Sequence, residues 1–232
     1  MATRPGSSYS ARWSQIMITK EGLVTTITGK ATGGYQDGPI ATATFGRLIS
    51  IAACEDGAIY VIEDRSVFPG IDFRIRKISR AGIVSTLTKE PVVTSSGPWN
   101  IKSLAVLNKT IYAAGTGIFK ISSKGNVSVV KKDVTVNYNS LLPFADGSFL
   151  IASDNQIKKV SANGTVSVVA GVPVTDIYAA PGEGPADSVD LHDPSGIAFY
   201  DNVLYISVHP RVGLPGSDEY QQGSVIQMMA FP

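Results

Sequence analysis

The sequence predicts an all-β protein, a β-propeller of about four four-stranded antiparallel blades. Two hairpin patterns recur along the chain, and no segment of ten or more residues shows helical periodicity. The 23 glycines and 13 prolines favour short strands separated by turns. With 232 residues, of which 44% are hydrophobic, the chain is long enough to bury a core, and its composition excludes disorder.

The first hairpin pattern is centred on Gly22, Gly82, Gly125 and Gly164. Two residues after these glycines stand Val24, Val84, Val127 and Val166, and four residues before them stand Ile18, Ile78, Ile121 and Val160. Apolar, largely β-branched runs on both sides of a short turn predict a pair of antiparallel strands. We expect the glycines to adopt a positive φ, where a side chain would be disfavoured.

A second hairpin precedes the first in each unit, with the turn pairs Asp56-Gly57, Asn108-Lys109, Asp146-Gly147 and Asp201-Asn202. These residue pairs are typical of tight hairpin turns. Each full unit therefore supplies four strands, A to D, and the sequence predicts continuous blades over residues 45–88, 99–131 and 138–171. Short strands that are apolar on both sides suit a propeller, because neighbouring blades cover both faces of each sheet.

The last unit has strands A, B and C over residues 195–199, 204–208 and 224–231, and no strand D follows them. Residues 23–28 form a predicted strand D with no A or B before it, so we expect the N-terminal strand to complete the last blade and close the ring. Residues 15–19 also resemble a strand C, which would give this composite last blade one strand too many. Five blades, or closure between subunits, are therefore the alternatives. The predicted organisation is a flexible tail over residues 1–13 and a single propeller domain over residues 14–232.

Two segments, 34–52 (GYQDGPIATATFGRLISIA) and 181–199 (PGEGPADSVDLHDPSGIAF), resemble the linker and first strand of NHL-repeat β-propellers. Residues 73–88 (FRIRKISRAGIVSTLT) resemble the same family. The resemblance implies the propeller fold, with the difference that NHL proteins usually have six blades. It implies no single activity, since the family includes protein-interaction modules, RNA binders, ligand sensors and a few metal-dependent lyases.

The composition of the chain disfavours several classes of function. Twenty Lys and Arg against 19 Asp and Glu give a net charge of +1, so no global field attracts nucleic acid or a membrane surface. Because Cys54 is the single cysteine, an internal disulfide is excluded. We expect Cys54 to be a small, buried apolar residue. No apolar run is long enough to span a membrane, and the first residues lack the core of a signal peptide. We therefore expect a soluble protein, cytoplasmic or incorporated in a particle such as a virion.

Long loops predict where binding occurs. In a propeller the B-to-C and D-to-A connections emerge on one face, and here residues 63–72, 209–223, 30–44 and 172–194 are the long ones. In a four-bladed ring the first and last blades are neighbours, so these loops would cluster. The predicted binding face consists of Tyr35, Asp37, Glu63, Asp64, Arg65, Phe68, Asp72, His192, His209, Arg211, Asp218, Glu219 and Tyr220. Acidic residues mixed with aromatic and arginine anchors favour a protein or glycan partner.

Catalysis is the less favoured interpretation. His192 and His209 are the only histidines, and neither lies in a metal-ligand motif, which disfavours catalytic zinc. Calcium bound by Asp187, Asp190 and Asp193 is an alternative to the expected absence of a cofactor. The basic run Arg74, Arg76, Lys77 and Arg80 is confined to one blade, so nucleic acid is not the expected partner.

The favoured hypothesis is a non-enzymatic propeller that presents its loop-rich face to a protein partner, as a structural or attachment component of an assembly such as a virion or tail. A glycan-binding or small-ligand-binding propeller is the first alternative, and a metal-dependent hydrolase or lyase is the second. A homo-oligomer is compatible with all three.

Overall fold

A computed structural model describes residues 15–18, 24–28, 33–66, 72–88, 101–132, 138–173, 182–209, 211–213, 220–222 and 225–230. These residues form twenty strands and no helix. None of the described residues therefore belongs to a helix that could cross a membrane.

The strands follow in chain order as β1 (Gln15–Ile18), β2 (Val24–Thr28), β3 (Gly38–Pro39), β4 (Arg47–Ala53), β5 (Ile59–Asp64), β6 (Phe73–Ile78), β7 (Ile83–Thr86), β8 (Ser103–Leu107), β9 (Thr110–Ala114), β10 (Gly117–Ile121), β11 (Val127–Lys132), β12 (Ser140–Pro143), β13 (Phe149–Ser153), β14 (Gln156–Val160), β15 (Val166–Ala170), β16 (Gly196–Tyr200), β17 (Val203–Val208), β18 (Arg211–Gly213), β19 (Tyr220–Gln222) and β20 (Val225–Ala230). They pair into antiparallel meanders, as the hairpin turns require.

Four of the sheets are the blades of a β-propeller. Blade 1 is β4–β7 with β3 added beside β7, blade 2 is β8–β11, blade 3 is β12–β15, and blade 4 contains β16, β17 and β20. The inner strands pack in sequence, β4 on β8, β8 on β12 and β12 on β16. The predicted all-β propeller of four antiparallel blades is confirmed, and the blade boundaries agree with those expected from the repeats.

The described turns have the predicted conformations, and Gly22, the first of the four predicted glycines, lies outside the described residues. Gly82, Gly125 and Gly164 adopt φ values of 75°, 83° and 87°. The pairs Asn108-Lys109 and Asp201-Asn202 have positive φ at both residues, as type I′ hairpin turns demand. At Gly125 a Cβ would lie 1.9 Å from the carbonyl oxygen of Leu87, so this glycine also permits close contact with blade 1.

Each pair of neighbouring blades shares a core of buried hydrophobic residues. Between blades 2 and 3, Tyr112 packs edge-on against Phe149, with ring centroids 5.3 Å apart. Between blades 3 and 4, Leu150 and Ala152 pack with Leu204, Ile206 and Val208, all buried. Cys54 is buried in the core between blades 1 and 2, which confirms the apolar role predicted for it.

Serine hydroxyls also link the inner strands of neighbouring blades. The backbone amide of Leu104 in blade 2 donates to Ser50 Oγ of blade 1 at 3.0 Å. The equivalent amide in blade 4, that of Ile197, donates to Ser140 Oγ of blade 3 at 3.2 Å. Each bond satisfies a backbone donor at a blade boundary, as burial requires.

Closure of the ring is where the structure differs from the expectation. Strand β2 pairs with β1, and β20 pairs with β17 alone among the described strands. No Cα atom of β4 lies within 8 Å of one in β16. The β1–β2 hairpin closes a short loop, whereas pairing β2 with β20 would join distant parts of the chain at a higher entropic cost. The four blades therefore form an arc within the described residues.

Candidate functional site

The predicted binding face divides into separate parts. Phe68, Asp218 and Glu219 lie outside the described residues, as do the side chains of Arg211 and Tyr220, whose backbones belong to β18 and β19. Six residues lie on blade 1, namely Tyr35, Asp37, Glu63, Asp64, Arg65 and Asp72, whereas His192 and His209 flank the first hairpin of blade 4. Since β4 and β16 do not meet, the structure does not show the blade 1 and blade 4 residues as one site.

The centre of the blade 1 group is Arg76, which is completely buried. Its Nη1 donates to both carboxylate oxygens of Glu63, at 2.8 and 2.9 Å, and Glu63 is also fully buried. Glu63 additionally accepts hydrogen bonds from the Gly46 amide and from Arg65 Nε. A buried ion pair is tolerated only when its remaining donors and acceptors are satisfied, and this arrangement meets that condition.

Asp37 joins the segment before β4 to this ion pair. Arg76 Nη2 donates to Asp37 Oδ1 at 2.8 Å, and the amide of Thr86 donates to Asp37 Oδ2 at 2.8 Å. The guanidinium of Arg76 also lies over the ring of Phe45, 4.9 Å from its centroid. Residues 34–45 are thereby fastened across the outer face of blade 1, where Ala43 and Phe45 pack on Val61.

A shallow hollow of about 490 Å³ opens beside this segment, lined by Gly33, Gly34, Tyr35, Gly46, Arg47, Asp64 and Ser66. Tyr35 is 50% exposed, and the Arg65 guanidinium stacks on its ring at 4.7 Å from the centroid. A Cβ on Gly46 would lie 2.4 Å from the Tyr35 ring, so the glycine allows the ring to lie flat over the backbone. Tyr35 is therefore a pre-positioned aromatic side chain at the rim of the hollow.

Asp64 and Arg47 form an ion pair on the opposite rim. Partial burial acts to raise the pKa of Asp64, but hydrogen bonds from Ser66 and Arg47 outweigh it, and the pKa lies below its usual value. The Asp64 carboxylate is ionised at neutral pH and holds Arg47, whose side chain is 62% exposed. The hollow thus presents one aromatic ring and one guanidinium.

The basic run of blade 1 does not form one exposed strip. Arg76 is buried, Arg74 pairs with Asp72, and Lys77 lies over the ring of Tyr60 at 5.8 Å. Alternation along β6 places Arg76 on the face that residues 34–45 cover. Arg74, Arg76 and Lys77 therefore contribute to contacts within blade 1, whereas Arg80 is exposed.

A second polar cluster lies where the inner strands of blades 2, 3 and 4 begin. Lys102 Nζ donates to Asn139 Oδ1 at 2.8 Å, and Asn139 Nδ2 donates to Asp193 Oδ1 at 3.3 Å. The Asp193 amide donates to Asn155 Oδ1 at 2.9 Å. Asp193 has a φ of 43°, a conformation that costs energy and is common at functional positions. We call Lys102, Asn139, Asn155 and Asp193 the central polar cluster.

His192 lies next to this cluster but points into the protein. Its side chain is 5% exposed, and its Nε2 lies 3.3 Å from Asp190 Oδ2 without a hydrogen bond. The His192 carbonyl accepts a hydrogen bond from the amide of His209, whose side chain is exposed. The backbones of the two histidines thus meet, although the structure gives no contact between the imidazoles.

The described residues contain no group of three or more His, Cys, Asp or Glu side chains that could hold a metal ion. Asp187, Asp190 and Asp193 all lie within the described part of the chain and do not converge, so the calcium alternative finds no ligand set there. Lys102 and Asn139 were missed by the sequence reasoning. The signal was their repeated place directly before Ser103 and Ser140, in the sequences Lys-Ser-Leu and Asn-Ser-Leu.

No protein-family model matches the chain, and no curated protein matches it in sequence. Among solved structures, the chain is similar to an auxiliary nutrient binding protein from Bacteroides thetaiotaomicron VPI-5482, with 12% identity and a TM-score of 0.52 over 96% of this chain and 57% of that one. A protein provisionally named a gluconolactonase matches with 10% identity and a TM-score of 0.53 over 96% of this chain and 70% of that one.

A third solved structure, a protein of unknown function from Bacteroides thetaiotaomicron VPI-5482, matches with 17% identity and a TM-score of 0.47 over 80% of this chain. The chain spans 58% of that protein's length. At these identities the similarities to the nutrient binding protein and to the gluconolactonase-named protein support the propeller fold alone.

Proposed function

We propose that this chain is a non-enzymatic β-propeller of the NHL type that holds a protein partner at the hollow beside Tyr35. In this proposal it acts as a structural or attachment component of a larger assembly, such as a virion or tail. The NHL assignment rests on the motifs in residues 34–52, 73–88 and 181–199, together with the blade pattern. The remaining loop residues of the predicted face, including Arg211 and Tyr220, would extend the contact.

The observation that carries this proposal is the fixed position of Tyr35 and Arg47 around the hollow. The buried pair of Arg76 and Glu63 holds residues 34–45 in place, so the exposed ring and guanidinium lose little conformational entropy on binding. Tyrosine and arginine, together with tryptophan, are enriched among the side chains that dominate protein–protein affinity. The carboxylates around them are already paired, which disfavours a metal-dependent reaction at this place.

The test is affinity capture from the native source with immobilised wild-type protein and two variants, Tyr35→Ala and Val168→Ala. Val168 is a matched control because it is 53% exposed on β15, away from the hollow. We expect a stoichiometric protein partner that wild type and Val168→Ala retain and Tyr35→Ala loses. The proposal is wrong if all three proteins retain the same set, or if the purified chain hydrolyses a sugar lactone.

A second candidate function is binding of a small polar ligand, such as a glycan, at the central polar cluster. Asp193 is exposed there in a strained conformation, beside the amide of Asn139. The name of the similar nutrient binding protein is compatible with such a role. Glycan-array binding that Asn139→Ala abolishes and Tyr35→Ala leaves intact would favour this candidate, and an array without binding would count against it.

A further inference from the structure

A groove of about 560 Å³ follows one edge of β20 in blade 4. All of β20 lines it, together with part of residues 182–191, Ala170 and Ile206. Among the described strands β20 pairs only with β17, so the backbone groups along its other edge have no strand partner. We call this space the blade 4 groove.

The segment beside the groove repeats the conformation of the segment that covers blade 1. Residues 183–185 (Glu-Gly-Pro) correspond to residues 37–39 (Asp-Gly-Pro). The hydroxyl and the amide of Thr42 both donate to the carbonyl oxygen of Pro39, and those of Ser188 donate in the same way to Pro185, at distances of 2.9–3.1 Å. Blades 1 and 4 are therefore preceded by the same turn, and their surroundings can be compared residue by residue.

Gln227 in blade 4 occupies the place of Arg76 in blade 1. Arg76 lies opposite Val61 across the sheet, and Gln227 lies opposite the equivalent Ile206. Each side chain donates to the carbonyl oxygen of the residue that precedes the acidic one, at 3.2 Å from Arg76 and 2.8 Å from Gln227. The two blades thus share the framework of the anchor, but the positive charge is present in blade 1 alone.

The polar groups at the blade 4 groove lack partners that their counterparts have. Asp37 is paired with Arg76, whereas the equivalent Glu183 is exposed and forms no ion pair with a described residue. The Oε1 atom of Gln227 is buried without a hydrogen-bond partner. A ligand of this groove therefore has to supply hydrogen-bond donors, and a positive charge on it would be complementary to Glu183.

In blade 1 the corresponding space is filled by a strand, β7. This strand pairs with β6 on one side and β3 on the other, and the amide and hydroxyl of Thr86 donate to the carboxylate of Asp37 at 2.8 and 3.1 Å. Val84 of β7 is 1% exposed and packs in one apolar cluster with Ile40, Ala43, Phe45, Val61 and Ile78. The five equivalent residues of blade 4 all line the groove: Ala186, Val189, Leu191, Ile206 and Met229. The blade 4 groove therefore offers the contacts of a β-strand site.

The chain's own β2 resembles the strand that fits, but it is already paired. Residues 24–28 (VTTIT) are similar to residues 84–88 (VSTLT). Ile18 of β1 lies opposite Val24 of β2, in the register in which Ile78 of β6 lies opposite Val84 of β7. The edge of β2 that matches the groove is thus occupied by β1, which leaves the groove to a strand from another protein.

We propose that the blade 4 groove binds an extended segment of a partner protein by β-strand addition to β20. The segment has a β-branched apolar residue where β7 has Val84, and a hydroxyl or a basic side chain where β7 has Thr86. A basic side chain there compensates the charge of Glu183, whereas an acidic one is repelled. The groove lies on blade 4 and the hollow beside Tyr35 lies on blade 1, so this proposal does not rest on the function proposed above.

The test is binding of fluorescently labelled peptides to the full chain, measured by anisotropy. The parent peptide has the sequence of residues 82–88, GIVSTLT, and two further peptides carry Thr86→Lys or Thr86→Glu. We expect saturable binding of the parent peptide, at least equal affinity for the lysine peptide, and about tenfold weaker binding of the glutamate peptide, because its carboxylate meets that of Glu183. In the protein variant Glu183→Gln, the lysine and glutamate peptides should bind alike.

Two substitutions of Met228 test whether the peptide pairs with the backbone of β20. In blade 1 the amide and carbonyl of Ile75 bond with Thr88 and Leu87, and alternation along the equivalent strand directs the Met228 N–H into the groove. Met228→Pro removes this N–H and should abolish binding, whereas the matched control Met228→Ala keeps it and should bind as wild type. The Met228 side chain is 71% exposed, so neither substitution removes core packing.

Amide exchange shows where the peptide lies. The bound parent peptide should slow exchange of residues 225–230 and leave residues 83–86 unchanged. Tyr35→Ala should bind the peptide as wild type does, which separates this site from the hollow on blade 1. If Met228→Pro fails to fold, Glu183→Gln with the two charged peptides still tests the proposal.

Three results would overturn it. Absence of saturable binding to wild type would show that no partner strand enters the groove, and binding that appears only after deletion of residues 1–28 would assign the groove to the chain's own N-terminal segment. Equal affinity of wild type for the lysine and glutamate peptides would exclude contact with Glu183. Equal binding by Met228→Pro and Met228→Ala would exclude pairing with β20.

Discussion

Blades 1 and 4 are the two ends of the same arc, and they differ in whether other residues of the chain cover their outer faces. On blade 1, residues 34–45 cover the sheet and Arg76 anchors them from within. On blade 4, Tyr200, Ile226 and Met228 remain exposed. The contrast shows that the chain itself covers one end of the described arc and leaves apolar side chains exposed at the other.

Removing the anchor of the covered end should have the largest effect. Arg76→Ala leaves Glu63 buried without its partner, and we expect the free energy of unfolding to fall by roughly 3–5 kcal/mol in urea titrations. Arg74→Ala is the matched control; its partly exposed pair with Asp72 should contribute less than about 1 kcal/mol. Equal losses in the two variants would show that the buried pair does not anchor residues 34–45. The double variant Arg76→Met with Glu63→Met should recover much of the loss.

A pair of tyrosines at equivalent repeat positions sharpens the comparison. Tyr112→Ala removes a ring that packs on Phe149, and we expect a loss of about 2 kcal/mol or more. Tyr205→Ala should cost clearly less because, among the described residues, Tyr205 has no ring contact equivalent to that of Tyr112 with Phe149. The measurement is the free energy of unfolding from urea titrations at low protein concentration. Similar losses at both positions would mean that blade 4 is covered within the monomer.

The serine contacts between blades provide a smaller test. Ser140→Ala leaves the Ile197 amide without its acceptor, and we expect about 1 kcal/mol of destabilisation. In Ser207→Ala the lost hydroxyl has only the exchangeable partner Ser195 Oγ and, among the described residues, no hydrogen bond to another blade, so the effect should be weaker. Thermal unfolding of both variants measures the difference. A larger effect at Ser207 would contradict the view that blade 4 ends the series of serine contacts.

The smallest expected effect is on acid stability at the covered end. The pKa of Asp64 in the folded protein lies below its unfolded value near 3.8, because hydrogen bonds from Ser66 and Arg47 outweigh burial. This group therefore contributes stability above the unfolded value, and the contribution is lost as pH falls through the lowered pKa. Asp64→Asn should reduce stability at neutral pH slightly and flatten its decline on acidification. An unchanged acid-unfolding profile would contradict this role of Asp64.

The strands and turns were predictable from the sequence because they depend on local patterns. Gly82, Gly125 and Gly164 mark hairpins whose β-branched flanks specify strands, and the structure places each glycine at positive φ. The closing of the ring was not predictable in the same way. Pairing of β2 with β20 depends on the balance between a local hairpin and a contact between distant segments, which no local pattern encodes.

The site was only partly predictable. Glu63 and Asp37 were expected on a binding face, yet they bind Arg76, which the sequence analysis considered only as part of a basic run confined to one blade. A useful signal was available, since Glu63 and Arg76 are opposite charges inside two otherwise apolar adjacent strands. The central polar cluster was missed because Lys102, Asn139 and Asp193 are far apart in sequence, and the stacking of the blades brings them together.

Hydrogen exchange at the two ends tests the central claim most directly. Amide exchange of residues 83–86 on blade 1 and residues 225–230 on blade 4 would be followed by mass spectrometry. The account predicts slower exchange for residues 83–86, because β7 lies between β3 and β6, than for residues 225–230, because β20 pairs with β17 alone among the described strands. Equal protection of the two segments, or faster exchange of residues 83–86, would contradict the distinction between a covered end and an exposed one.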